Sequence, residues 1–334
     1  MLSGEKAWAL ELSETTRAPL AAVTGTAQAE GLRTLKQDGI LKVLAGHTTI
    51  EQVRARAAAE FKPWNENPET VAEVRDFHAD TTVRRIAVRL YDPGLDRDGL
   101  LVYLHGGGWV IGDLDLEDAA LRILANRSGI RILSVDYRLL PEHAFPAAID
   151  DAVAVVRWLA QGRGPRVDVR RIALGGASAG ANLALGAALK LRDTTVVRPC
   201  FLLLLYGAYL GDADTESRRS FGDGRFGLPA EVMSYFWRSY AGPDPGSAHP
   251  YAVPAHADLR GLPGAFVNHA GLDILRDDSI VLAERLREAG VAVEHRAYAG
   301  AIHGFTQYHK ASTAGRQALE DAARALARAL AEPR

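Results

Sequence analysis

A chain of 334 residues, 48% hydrophobic and 24% charged, can bury a large core and still carry a charged surface, which excludes a disordered chain and a collagen-like repeat. With 39 basic and 41 acidic residues the formal net charge is −2, so no basic field calls for nucleic acid or an anionic membrane. The single cysteine, Cys200, can form neither an internal disulfide nor a thiolate metal cage, which points to a reducing compartment and a cytoplasmic location.

Along the chain, residues 1–62 read as helical, with Ile50, Val53, Arg54 and Ala57 at helical spacing until Pro63, Asn65, Asn67 and Pro68 interrupt it. Glu5, Glu11 and Glu14 beside one early Lys6 do not make the basic start and apolar centre of a secretory leader. From Thr81 the texture becomes β-rich through Val83, Ile86, Val88 and Leu90, closing at the turn signal Asp92-Pro93-Gly94. Strand-length apolar runs follow at 100–104, 130–135, 171–174, 201–205, 265–268 and 291–298. Helical patterns occupy 147–161, 179–192, 229–240, 276–289 and 312–331. The longest apolar run, 201–210, is half of the roughly 20 residues a membrane helix needs, and reads as a buried strand. Runs apolar on both faces and separated by crossover helices predict an α/β protein with a mostly parallel central sheet flanked by helices, whose ligand crevice lies at the carboxyl ends of the strands.

The residues suited to chemistry fall at those ends. Gly176-Ala177-Ser178-Ala179-Gly180 fits G-x-S-x-G between a predicted strand and a predicted helix, the setting of a serine forced onto a sharp turn; the bland alternative is a glycine-rich packing turn. His105-Gly106-Gly107-Gly108-Trp109 follows the run 100–104 directly, and three glycines let backbone N–H groups approach a substrate carbonyl. It lacks the Lys and Ser/Thr of a phosphate-binding loop. His105 reads as structural, holding the loop by hydrogen bonds. A neutral serine needs a base to take its proton and an acid to orient that base, in the chain order Ser, acid, His. His303 lies beyond the last predicted strand, with His295 and His309 as rivals. Asp273 follows the run 265–268; Asp277 and Asp278 are alternatives in the first turn of the next helix, where carboxylates suit the dipole.

Taken together, His105–Trp109, the run 136–143 with Phe145-Pro146-Ala147-Ala148, Gly176–Gly180, Asp273–Arg276 and His303–Phe305 resemble the bacterial hormone-sensitive-lipase-like family of α/β-hydrolase carboxylesterases over residues 80–320. The resemblance implies an α/β-hydrolase fold with an N-terminal helical cap at 1–65, a catalytic domain at 66–334, and a cap contribution from about 206–242. It implies Ser178 as nucleophile, His303 as general base and acid, and Asp273 as the orienting acid. Oxyanion donors would come from the backbone of Gly107, Gly108 and Ala179, and the run 136–148 would brace the loops around the site. Trp109 and Tyr206 are candidate substrate contacts, the Trp109 ring being equally suited to the core. Three departures stand out: Ala177 where the family often has an acid before the serine, Asp273-Ile274-Leu275 where Asp-Pro-Leu is common, and His249-Pro250 where Ser-Pro is expected. None removes a catalytic atom.

The expectation is a serine carboxylesterase acting on short- to medium-chain esters through an acyl-enzyme, with no metal or organic cofactor. An amidase or deacetylase would use the same three groups. A non-catalytic binder, of the kind that plant gibberellin receptors represent on this scaffold, could dispense with the base. Gly222–Gly227 fits G-x-G-x-x-G but does not follow a strand, which argues against a dinucleotide, and no H-E-x-x-H pattern occurs. Tyr235, Phe236, Trp237 and Tyr240 read as core or cap packing. The expected partner is a small-molecule ester, without nucleic acid or a membrane span, and a homodimer through an edge strand or the last helix is left open.

Overall fold

The computed structural model describes residues 49–95, 98–195, 197–243 and 248–331. The helices expected before residue 49, most of the N-terminal cap, lie outside the described residues. The chain then runs α1 (Ile50–Asn65), β1 (Glu73–Asp80), β2 (Arg85–Asp92), β3 (Leu100–Leu104), α2 (Asp118–Ser128), β4 (Arg131–Val135) and α3 (Ala147–Ala160). It continues with β5 (Ile172–Ala177), α4 (Ala179–Thr194), β6 (Leu202–Leu205), α5 (Glu216–Phe221), α6 (Ala230–Ala241), β7 (Ala265–Leu272), α7 (Arg276–Glu288), β8 (Val293–Ile302) and α8 (Thr313–Ala331).

The eight strands form one sheet in the order β1-β2-β4-β3-β5-β6-β7-β8. From β4 to β8 every pairing is parallel, and β2 runs against both β1 and β4. Period-two alternation splits each inner strand between two cores. On β3, Leu100, Val102 and Leu104 face the layer of α3, α4 and α7, while Leu101 and Tyr103 face α2 and α8. Burial on both faces explains why β3 and β6 read as unbroken apolar runs. On α8, Ala318, Leu319, Ala322, Ala323, Leu326 and Leu330 make the buried stripe at helical spacing. Thr49 caps α1 in a box with Gln52, and the left-handed Gly129 closes α2 by donating its N–H to Ala125 O at 2.8 Å.

Four features differ from the sequence expectation. β1 was not anticipated: it is a half-exposed edge strand on which only Ala79 is buried, and Thr81 to Arg84 form the turn into β2. The crossover helix α2 was also unassigned. α1 continues through Pro63 to Asn65, giving up the bond an N–H at 63 would make to the carbonyl of residue 59 and ending two residues later. β7 and β8 run to Leu272 and Ile302, beyond the expected 268 and 298, so Asp273 and His303 are each the first residue after a strand. Among the described residues, no helix is long and apolar enough to cross a membrane.

Candidate active site

The chain turns sharply at Ser178, between β5 and α4, with φ 53° and ψ −120°, a backbone region that non-glycine residues rarely occupy. Both glycines of the motif are dictated by proximity. A Cβ at Gly176 would lie 2.4 Å from the carbonyl oxygen of Leu104, and one at Gly180 only 1.9 Å from it. Leu104 ends β3, so the serine turn sits directly against the strand that feeds the glycine loop. The turn is held by the Ser178 N–H donating to Leu205 O at 2.9 Å, and the N-terminus of α4 faces the same space.

The glycine loop is aimed by its carbonyls. Because a trans peptide points its C=O and the following N–H in opposite directions, fixing one fixes the other. His105 Nδ1 lies 2.7 Å from Gly106 O, which turns the Gly107 N–H to the opposite side. Gly107 O accepts from Val110 N at 3.2 Å and Ile111 N at 3.0 Å, which turns the Gly108 N–H likewise. The path needs φ of 116° at Gly107, 62° at Gly108 and 61° at Trp109. At Gly107 any side chain would strike Ile111 O, 2.0 Å from an added Cβ. Burial lowers the His105 imidazole to about 4, so it stays neutral, with Nδ1 as the donor. Tyr137 stacks on His105 at 4.3 Å and donates its hydroxyl to His105 O at 2.8 Å. Among the described residues no acceptor within the chain takes the N–H of Gly107, Gly108 or Ala179.

The three residues expected at the reacting centre come together. Ser178 Oγ lies 2.9 Å from His303 Nε2, and His303 Nδ1 lies 2.8 Å from Asp273 Oδ2. Asp273 is fully buried, and its other oxygen accepts the Leu275 N–H at 3.0 Å. With a carboxyl oxygen at Nδ1, that nitrogen carries the ring proton, and Nε2 is left to accept from the serine hydroxyl. The rivals are engaged elsewhere. His295 pairs with His269 at 2.8 Å, and His309 Nδ1 faces Thr306 O at 3.1 Å. Asp277 takes the Ser217 N–H at 2.8 Å, and Asp278 takes those of Tyr209 and Leu210 at 2.6 and 2.9 Å.

The structure places both candidate substrate contacts in buried surroundings. Trp109 is 1% exposed, stacks on Tyr240 at 4.3 Å and lies 4.8 Å from Trp237, so its ring packs in the core. Tyr206 is equally buried; it meets the His303 ring edge-on at 5.4 Å and shares a hydroxyl bond with Thr306, so it supports the imidazole. Burial and the Glu117 carboxylate push the phenol of Tyr206 well above its usual range. Phe236 of α6 lies against the glycine loop, its ring 2.4 Å from where a Cβ on Gly108 would sit. The run 136–148 does brace the loops: Leu140 N donates to Trp109 O at 2.9 Å, and Arg138 reaches the buried Asp151 at 3.0 Å.

Sequence reasoning missed three residues that the structure places beside the site: Glu117, which accepts the Gly106 N–H at 3.0 Å, Gln307, which donates to Glu117 at 3.2 Å, and Thr306, which bonds the Tyr206 hydroxyl. Glu117 carried no signal, because no helix was expected there and an acid beside Asp113, Asp115 and Asp118 looks like part of a solvated acidic stretch. The Gly222–Gly227 motif follows α5 rather than a strand. Among the described residues no group of three or more metal-ligating side chains is placed to hold an ion.

A family described by the alpha/beta hydrolase fold matches residues 101–307. An acetyl esterase of Salmonella paratyphi A is 34% identical over 289 residues, 85% of this chain and 89% of that one. Among solved structures, the thermophilic carboxylesterase EstE1 from a metagenomic library is 33% identical, with a TM-score of 0.81 over 86% of this chain and 99% of that one. An esterase of the bacterial hormone-sensitive lipase family is 29% identical, with a TM-score of 0.77 over 85% and 92%. The fold, the serine turn and these likenesses agree: the chain is a carboxylic ester hydrolase, and it belongs to the hormone-sensitive-lipase-like carboxylesterases of the α/β-hydrolase family.

Proposed function

We propose that this serine carboxylesterase hydrolyses short- to medium-chain esters with Ser178 as nucleophile, His303 as general base and acid, and Asp273 as the orienting acid. Ser178 Oγ attacks the ester carbonyl while His303 Nε2 takes its proton. The carbonyl oxygen, now an anion, accepts from the N–H groups of Gly107, Gly108 and Ala179. His303 then gives its proton to the departing alcohol, leaving an acyl-serine. Water attacks that acyl group as His303 takes its proton, the acid departs, and the proton returns to Ser178. The observation that most supports this reading is the continuous chain from Ser178 Oγ through the imidazole to Asp273, at 2.9 and 2.8 Å, beside amides that find no acceptor among the described residues.

The preference for a small acyl group draws on the acetyl esterase relative and on Phe236, whose ring presses on Gly108. Residues 1–65, with a contribution from about 206–242, belong to the same proposal as a cap over the catalytic unit 66–334. Its support is that Phe236 covers the glycine loop, while Arg54 of α1 donates to Val110 O at 2.8 Å. The lone buried Cys200 favours a cytoplasmic setting. A homodimer belongs to the same proposal, through one of the two outer strands of the sheet, β1 or β8, or through α8.

The test is a series of p-nitrophenyl esters of rising acyl length, with the matching anilides. The reading expects turnover to peak at short chains and to vanish in Ser178→Ala. Anilides cleaved faster than esters would replace it with an amidase.

A further inference from the structure

Glu117 is the N-cap residue of α2, yet its side chain makes no capping bond and is 3% exposed. Its carboxylate turns inward instead and, among the described residues, takes donors from three parts of the chain. It accepts the Gly106 N–H at 3.0 Å and the Gln307 amide at 3.2 Å, and the Tyr103 hydroxyl donates to its other oxygen. Tyr103 belongs to β3. Gly106 belongs to the glycine loop. Gln307 lies four residues beyond His303, in a turn closed by its own N–H on Gly304 O at 3.0 Å.

A buried carboxylate is costly to keep unless donors satisfy it, so three converging donors mark a built arrangement. Its position is next to the reacting centre. A Cβ added to Gly106 would meet Glu117 Oε1 at 3.2 Å, Ala177 O at 3.3 Å and the Ser178 Cβ at 3.6 Å. The carboxylate and the serine turn therefore border the same space beside Gly106. The residue before the serine, where the resemblance leads one to expect an acid, is Ala177. Glu117 brings a carboxylate beside Gly106 from a different stretch of chain.

We propose that Glu117 is a positioning residue for the oxyanion donors, holding the Gly106 amide so that Gly107 and Gly108 face the substrate, and tying that loop to the His303 loop through Gln307. The proposal rests on the assignment of those two amides as oxyanion donors. Glycine peptides are the softest in the chain, and only hydrogen bonds at their ends select one orientation. His105 fixes the plane between Gly106 and Gly107, and Glu117 fixes the plane before it.

The test uses the full-length enzyme with Glu117→Gln and Gln307→Ala. The Gln variant keeps the shape but loses the charge that strengthens the bond to the Gly106 N–H, and its amide nitrogen cannot accept: in place of Oε2 it leaves the Tyr103 hydroxyl without that acceptor, and in place of Oε1 it leaves both Gly106 and Gln307 without it. Two readouts are taken: kcat and KM on p-nitrophenyl acetate, and inhibition by a trifluoromethyl ketone, whose serine adduct carries the oxyanion. The expected result for Glu117→Gln is a kcat lower by about tenfold, KM within about twofold, and ketone affinity weaker by the same factor as kcat. Gln307→Ala should move both in the same direction by less, with melting temperatures recorded alongside. Folded variants that keep both kcat and ketone affinity within about twofold of wild type overturn the proposal, as does a fall in melting temperature with no change in either. If the ketone fails to inhibit wild type and Ser178→Ala stays active, the proposed reaction has failed instead.

Discussion

The Cα of Gly180 and the carbonyl oxygen of Leu104 are so close that a methyl group on the first would stand 1.9 Å from the second. That contact joins the turn holding Ser178 to the end of β3, whose next residue opens the glycine loop. The proposed nucleophile and the proposed oxyanion donors are thereby placed against each other by backbone packing.

Gly180→Ala should therefore cost about 3 kcal/mol or more, because neither the strand end nor the helix start can move away freely. A denaturation midpoint, or the yield of soluble protein, measures this. Wild-type stability would show that the backbone accommodates the methyl group.

Asp273→Asn should lower kcat on p-nitrophenyl acetate about 10³–10⁴-fold with KM little changed. An amide NH₂ facing His303 Nδ1 favours the other tautomer, and Nε2 can then no longer accept the serine proton. Full activity in a folded variant would show that one of the other acids does this work.

Asp278 offers a pH test. Burial, with the nearby charges of Asp273 and Asp277, pushes its carboxyl up to about 7. A carboxyl raised on folding is neutral in the native state while the unfolded chain is already ionised. Its stabilising contribution is therefore complete below about pH 4 and is lost as pH rises to about 7. Asp278→Asn keeps an oxygen for the N–H groups of Tyr209 and Leu210 but removes the titration. The variant should melt higher than wild type at pH 8.5 and alike near pH 4. Parallel melting curves across that range would contradict the assignment.

Trp109 separates packing from binding. With its ring stacked on Tyr240, Trp109→Ala should cost about 3–5 kcal/mol and lower the melting temperature sharply, while KM for an acetate ester moves little in the folded fraction. A raised KM at unchanged melting temperature would return the ring to the substrate pocket.

The parts of the molecule that could be read in sequence are those in which local pattern and tertiary role coincide. β3 and β6 lie buried on both faces and read as apolar runs. Gly107, Gly176 and Gly180 are there because backbone meets backbone, and only glycine records that in a sequence. β1 was invisible because an edge strand with one buried residue has no apolar alternation. α2 was blurred because its Asp118 and Arg122 are buried or nearly so, paired at 2.7 Å, instead of lying on a solvated face. Glu117 was illegible for another reason: its partner Gln307 is 190 residues away, and nothing local records that approach.

The central claim is that acyl transfer passes through the hydroxyl of Ser178. The most direct measurement is mass spectrometry of the enzyme after reaction with a fluorophosphonate or a slowly turned-over ester, with the label mapped to a peptide. One label per chain on the peptide containing Ser178, and neither label nor turnover in Ser178→Ala, is the expected result. A label on another residue, or ester hydrolysis that persists in Ser178→Ala, would contradict it.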